Sequence, residues 1–183
     1  MTTRLLALTS IGLLSGAVLF AAGPALATGD HAGRHGSAAL GQPGRVDLVA
    51  RTVEIVMGDN YYEPEQVSVA AGETVRFLVR NDGSLVHEFS LGTARMHAAH
   101  REEMQMMVAH GVLLGDRIDR ERMTMDMGDG RTMAHDDPNS LLLEPGQSAE
   151  LVWTFGKAGT LEFACNVPGH YEAGMAGSLV VQD

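Results

Sequence analysis

The sequence predicts an all-β, antiparallel Greek-key β-sandwich broken by one helical, methionine-rich insertion. Three observations predict it. Short runs of alternating apolar residues recur in both halves of the chain. Gly, Pro, Asn and Asp clusters separate them. A single stretch between the two halves changes to a spacing of three and four.

Taken in order, Thr52 to Met57 alternates as a first strand, with Val53, Ile55 and Met57 on one face. Gln66 to Val69 and Thr74 to Val79 follow, separated by Ala70-Ala71-Gly72-Glu73. Asn81-Asp82-Gly83 is a turn signal, and Val86 to Leu91 is the next strand. From Thr93 to about His110 the pattern is helical, with Met96, His100, Met104, Met107 and Gly111 on one face. A loop dense in Met and Asp runs to Asp136-Asp137-Pro138. Strands then return at Ser140 to Leu143, Ala149 to Phe155, Leu161 to Ala164 and Gly177 to Val181.

The first 27 residues are read apart from the fold. Arg4 precedes an uncharged apolar run, Leu5 to Ala22, and Ala25-Leu26-Ala27 offers the small residues of a cleavage site. Residues 1–27 therefore read as a secretory signal peptide. A membrane anchor is the alternative reading of the same run, and no cysteine stands near the cut to make a lipoprotein. Residues 28–48 read as a mobile N-terminal extension, and 49–183 as one domain with its insertion at 92–140. Export implies a periplasmic protein without stable membrane insertion.

Formal net charge is −10, and no Lys/Arg cluster is present. This disfavours nucleic-acid binding and attraction to an anionic membrane. A docking partner, if there is one, should carry a basic surface. Cys165 is the only cysteine, so no internal disulfide can form. In an oxidising compartment such a thiol must be buried or occupied by a metal.

Cys165-Asn166-Val167-Pro168-Gly169-His170-Tyr171-Glu172-Ala173-Gly174-Met175 lies between the end of one expected strand and the start of the next. The C-x4-H-x4-M spacing can turn three side chains toward one point, with Pro168, Gly169 and Gly174 supplying the bends. Thiolate and imidazole with a weak thioether form the ligand set of a blue-copper site. A second histidine is needed from elsewhere, and His87 follows the Asn81-Asp82-Gly83 turn. Singly, each residue is ordinary: a buried cysteine, a core methionine, a hydrogen-bonded histidine.

With these residues in view, the sequence resembles the cupredoxins from about Val53 to Val181, apart from the insertion. The ligand loop is similar in length to those of auracyanin and rusticyanin. His87-Glu88-Phe89, Asp137-Pro138-Asn139 and Pro168-Gly169-His170-Tyr171 look like a bacterial subfamily linked to periplasmic copper tolerance. The resemblance implies one type 1 copper held by His87, Cys165 and His170 in a plane, with Met175 axial. It departs from many cupredoxins in placing Glu88, not asparagine, after the first histidine. Asn166 is then a candidate for part of the asparagine's role of tying the two ligand loops together.

Eight of the eleven methionines lie in the insertion, at 96, 104, 106, 107, 123, 125, 127 and 133, with His97, His100, His110 and His135. Two readings stand. The segment is an apolar lid over the barrel mouth, the favoured reading, or an arm that binds additional copper weakly through Met123-x-Met125-x-Met127. His31 and His35 in the extension are read as solvated tail residues, with a terminal Cu(II) chelate as the weaker alternative.

No catalytic residue is expected. A multicopper oxidase would need histidines beside Cys165, where Ala164 and Asn166 stand, and a copper nitrite reductase would need a second domain. Two functions remain open: copper homeostasis, favoured by the insertion and the resemblance, and a soluble electron carrier. A carrier would dock on apolar residues near His170, such as Val167, Pro168, Tyr171 and Ala173. A monomer is expected.

Overall fold

Alternation of buried and exposed residues is what makes the strands form two facing sheets. The computed structural model describes residues 39–126, 132–134 and 137–183. The expected signal peptide, His31, His35, Met127 and His135 lie outside these residues. In chain order the elements are β1 (Gln42–Pro43), β2 (Arg51–Gly58), β3 (Tyr61–Glu63), β4 (Gln66–Ala70), β5 (Thr74–Asn81), β6 (His87–Gly92), α1 (Ala94–Ala109), β7 (Thr124–Asp126), β8 (Thr132–Ala134), β9 (Ser140–Leu143), β10 (Ser148–Thr154), β11 (Gly159–Ala164) and β12 (Ala176–Gln182). One sheet runs β1-β10-β5-β2-β3 and the other β4-β12-β11-β6-β9. In β4 and β12 every second residue is buried: Val67 and Val69, then Leu179 and Val181.

The all-β sandwich with one helical insertion is as expected, but its pairing is not antiparallel throughout. β2 pairs β5 in parallel, and β4 pairs β12 in parallel. The chain leaves β2, crosses to the second sheet as β4 and returns as β5 beside β2. Parallel neighbours require such a crossover, whereas a tight hairpin gives antiparallel ones. The period-2 pattern says which face a residue takes but not which strand lies beside it.

The extension expected over 28–48 is also corrected where it is described. Ala39 and Leu40 are buried in the core, and β1 pairs with β10. Trp153 Nε1 donates to the Leu40 carbonyl at 2.5 Å, so a buried indole anchors this segment. Ordered structure therefore begins ahead of residue 49. The strand β3 was also not expected; it follows a turn in which Asn60 takes φ 69° and pairs back on β2.

Between the sheets lie Phe77, Phe89, Phe155 and Phe163, all fully buried. Tyr62 meets Phe163 edge to face at 5.1 Å between ring centres. A second apolar cluster of Val86, Met104, Met107, Val112, Leu113 and Ile118 lies beyond the sandwich core, with Met123, Leu142 and Val167 packed against it. Thus α1 and the chain after it cover Val86, next to the expected ligand His87, and Val167, two residues after the expected ligand Cys165. The helix starts at Thr93, whose hydroxyl accepts from Met96 N–H. Of the predicted face Met104 and Met107 are buried and Met96 and His100 half-buried, His97 is buried beside them, and Gly111 lies past the end of the helix.

Candidate metal centre

His87 opens β6, and Cys165 follows β11, which is paired with β6 through Ala164 and Ser90. Their side chains therefore meet at one end of the second sheet. The loop from Cys165 to β12 folds back on itself. His170 N–H donates to Val167, Met175 N–H to His170, and Cys165 N–H to the Met175 carbonyl, at 3.0, 3.0 and 3.1 Å. Gly169 and Gly174 adopt φ +89° and +100°, where a side chain would be strained. The bends expected at these glycines are present.

Three of the four predicted residues converge in the polar geometry. The Nδ1 atoms of His87 and His170 stand 3.1 Å apart, and Cys165 Sγ lies 3.3 Å from His170 Nδ1 and 3.9 Å from His87 Nδ1. A point equidistant from the three atoms lies about 2.0 Å from each, which suits a transition-metal bond to imidazole and is slightly short for thiolate. The donor set thus fits one soft-to-borderline ion. Met175 is fully buried beside them in the chain fold, its backbone bonded to both Cys165 and His170.

Each donor is prepared by its surroundings. Asp59 Oδ1 accepts from His87 Nε2 at 2.9 Å, which leaves Nδ1 facing the triangle as a lone pair. Asp59 is itself held by the Ser84 N–H and hydroxyl at 2.9 and 2.5 Å. The Ser84 hydroxyl, then His87, hold the Asp59 carboxyl down at about 2. Burial keeps both histidines below their ordinary value, and at His170 the neighbouring His87 adds to this. Burial pushes the Cys165 thiol up to about 12, so a bound cation must supply the drive to form thiolate. Asn81 braces the turn before His87, accepting from Gly83 N–H and donating to the Leu85 and Leu143 carbonyls. Gly83 is needed for close approach: a Cβ there would stand 2.5 Å from Asp59 Oδ1 and 2.8 Å from His87 Nε2.

Glu88 fills the position where asparagine is common, and its role is larger than the sequence revealed. Its N–H donates to Cys165 Sγ at 3.3 Å, while its fully buried carboxylate accepts from Asn166 N–H and side-chain amide at 3.2 and 2.8 Å. The other oxygen accepts from His100 Nε2 at 2.9 Å and the Ser140 hydroxyl at 2.5 Å. Glu88 and Asn166 together tie the two ligand loops, and His100 joins the insertion helix to them. Asp59 carried no signal in the sequence, and His100 showed only as part of a helix face and of the insertion's histidines, because the 28 and 12 residues separating them from their partners are set by topology.

The sequence model for copper binding proteins of the plastocyanin/azurin family matches residues 49–182. The chain belongs to this family, the cupredoxins. Copper is accordingly its cofactor. The cupredoxin chain is 51% identical over 154 residues to the "copper-resistant cuproprotein CopI" of Pseudomonas aeruginosa, covering 81% of this chain and 84% of that protein. It is 40% identical over 156 residues to the protein of that name from Rubrivivax gelatinosus, covering 83% and 81%. Among solved structures it is similar in fold to auracyanin B, with a TM-score of 0.54 at 23% identity, covering 81% of this chain and 97% of that one.

Proposed function

We propose that this cupredoxin is a periplasmic copper-tolerance protein whose copper is held by His87, Cys165 and His170, with Met175 as the axial donor. When bound, copper supplies one-electron Cu(I)/Cu(II) chemistry at a soft thiolate–imidazole–thioether site. The chain's own residues do the rest. Asp59 fixes the His87 tautomer, Glu88 N–H bonds the sulfur, and Phe89 and Phe163 lie buried behind the ligands. The residues flanking Cys165 are alanine and asparagine, which supports a binding and redox role without catalysis at a copper cluster.

One observation favours copper handling over electron shuttling: the insertion packs onto Val167, one of the apolar residues near His170 that a carrier would use for docking. The relatives named as copper-resistant cuproproteins favour the same reading. The test is growth of a deletion strain on graded copper, complemented with wild type or Cys165→Ser. Copper tolerance restored by wild type and not by Cys165→Ser is expected. Normal tolerance with a respiratory defect would instead establish the carrier.

A further inference from the structure

We propose that His100, Glu103 and Asp137 form a second metal site, separate from the copper ligands, for a divalent transition-metal ion of the Zn(II) or Cu(II) class. The three donor atoms lie within 4.8 Å of one another. His100 Nδ1 is 3.2 Å from Glu103 Oε2 and 3.7 Å from Asp137 Oδ2. Imidazole with carboxylate oxygens suits borderline divalent ions and not Cu(I).

The site is built by two elements that the fold holds independently. His100 and Glu103 are three apart on α1 and so project from one side of the helix. Asp137 comes from the far end of the insertion, where Asn139 exchanges bonds with Leu91: its amide donates to the Leu91 carbonyl at 2.6 Å, and Leu91 N–H donates to its carbonyl at 2.9 Å. Ser140 N–H also closes on the Asp137 carbonyl. The Asp137-Pro138-Asn139 motif thereby sets Asp137 against the helix.

The orientation of His100 is the independent observation. Its Nε2–H donates to the buried Glu88 carboxylate at 2.9 Å, which fixes the ring and aims Nδ1 at the two other carboxylates. A ring nitrogen bonded to a buried carboxylate while its partner nitrogen faces further donors is the arrangement that supports metal-binding histidines. A purely structural ion pair is less well matched here. Nδ1 has one proton to offer, and two carboxylate oxygens converge on it; a divalent ion in the proton's place can bond both. Access is open, since the Glu103 and Asp137 side chains are 51% and 45% exposed while His100 is 14% exposed.

The test uses the full chain carrying His31→Gln and His35→Gln, loaded with one copper and titrated with Zn(II) by calorimetry. The visible copper band is followed throughout, so failure of the copper site itself would be seen separately as its absence. One further Zn(II) per chain is expected, with the copper band retained. Glu103→Gln with Asp137→Asn should weaken it at least tenfold, while Met123→Leu with Met125→Leu and Met127→Leu should leave it unchanged. No uptake of Zn(II) with the copper band intact, or uptake unaffected by the Glu103/Asp137 double variant, would overturn the proposal. Both altered carboxylates are half exposed, and circular dichroism of the variant checks that it is folded.

Discussion

Asp59 Oδ1 lies 2.9 Å from His87 Nε2, and this contact between the β2–β3 turn and the first residue of β6 decides which nitrogen of His87 faces Cys165. Removing it leaves the imidazole free to rotate or change tautomer. Asp59→Ala should therefore weaken copper affinity by about 10- to 100-fold, the usual cost of losing such a partner. Asp59 is largely exposed, so the fold should persist. Competition against a chelator of known affinity measures the first effect and thermal unfolding of the metal-free protein the second.

Glu88→Gln should act differently. The carboxylate accepts four hydrogen bonds, from Asn166 N–H, Asn166 Nδ2, Ser140 and His100. An amide would turn an NH2 toward one pair of these donors and leave His100 without its buried counter-charge. Breaking a buried pair in this way costs on the order of 3 kcal/mol, read as a lowered urea midpoint. Loss of a negative charge close to Cys165 should also favour Cu(I), so the reduction potential of the copper-loaded variant should rise. An unchanged midpoint would mean that the network carries no stability.

Burial by itself would lower the pKa of His100, but Glu88 from β6, Asp137 from the end of the insertion and Glu103 from α1 outweigh it and raise it to about 9. A raised folded-state value means that the charged form is favoured by folding. The stability His100 contributes is fully present below its ordinary 6.5 and is lost as pH rises through about 9. Metal-free protein should thus lose stability across that window, and His100→Gln should flatten this limb. Urea unfolding at intervals of half a pH unit reads it directly.

The proposed copper ligands give a further pair of outcomes. Cys165→Ser should abolish the intense visible charge-transfer band expected of a Cu(II)–thiolate bond and leave the protein folded, because the aromatic core is built by Phe77, Phe89, Phe155 and Phe163. Met175→Leu should keep copper and raise the potential, since a weak axial donor tunes the site more than it holds the metal. Loss of all copper from Met175→Leu would place the axial donor elsewhere.

How much of this was legible in the sequence follows from the range of each interaction. Strand faces, the helix at Ala94–Ala109 and the converging Cys165 and His170 depend on spacing within a few residues, and spacing is what a sequence displays. The parallel pairing of β2 with β5, in which Arg51 stands opposite Val75, and the anchoring of Leu40 by Trp153, 113 residues away, are long-range contacts that local pattern does not encode. Glu88 was visible as a departure from the family, yet its meaning needed Asn166, Ser140 and His100 in three other segments. Asp59 did not stand out in the sequence at all, because its partner His87 lies 28 residues on.

The insertion carries the last prediction. Met104 and Met107 are buried with Val86, Val112, Leu113 and Ile118, and Met123 packs against them, which is the arrangement of a lid. Residues 124–126 and 132–134 form β7 and β8, with Met125 opposite Met133. Met104→Ala or Met107→Ala should each cost about 2–5 kcal/mol through transfer and cavity terms, uncovering Val86 and Val167 beside the proposed copper ligands. Met123→Leu, Met125→Leu and Met127→Leu together keep apolar volume and should cost less than about 1.5 kcal/mol per site. With excess Cu(I) and a competing chelator, a pure lid gives one copper per chain in wild type and in the triple variant. A storage arm gives more than one in wild type and loses the excess in the triple variant. Because the buried methionines already account for the helix's inward face, the expected stoichiometry is one, and the expected casualty of opening the lid is the protection of bound copper, read as faster exchange with the chelator in Met104→Ala.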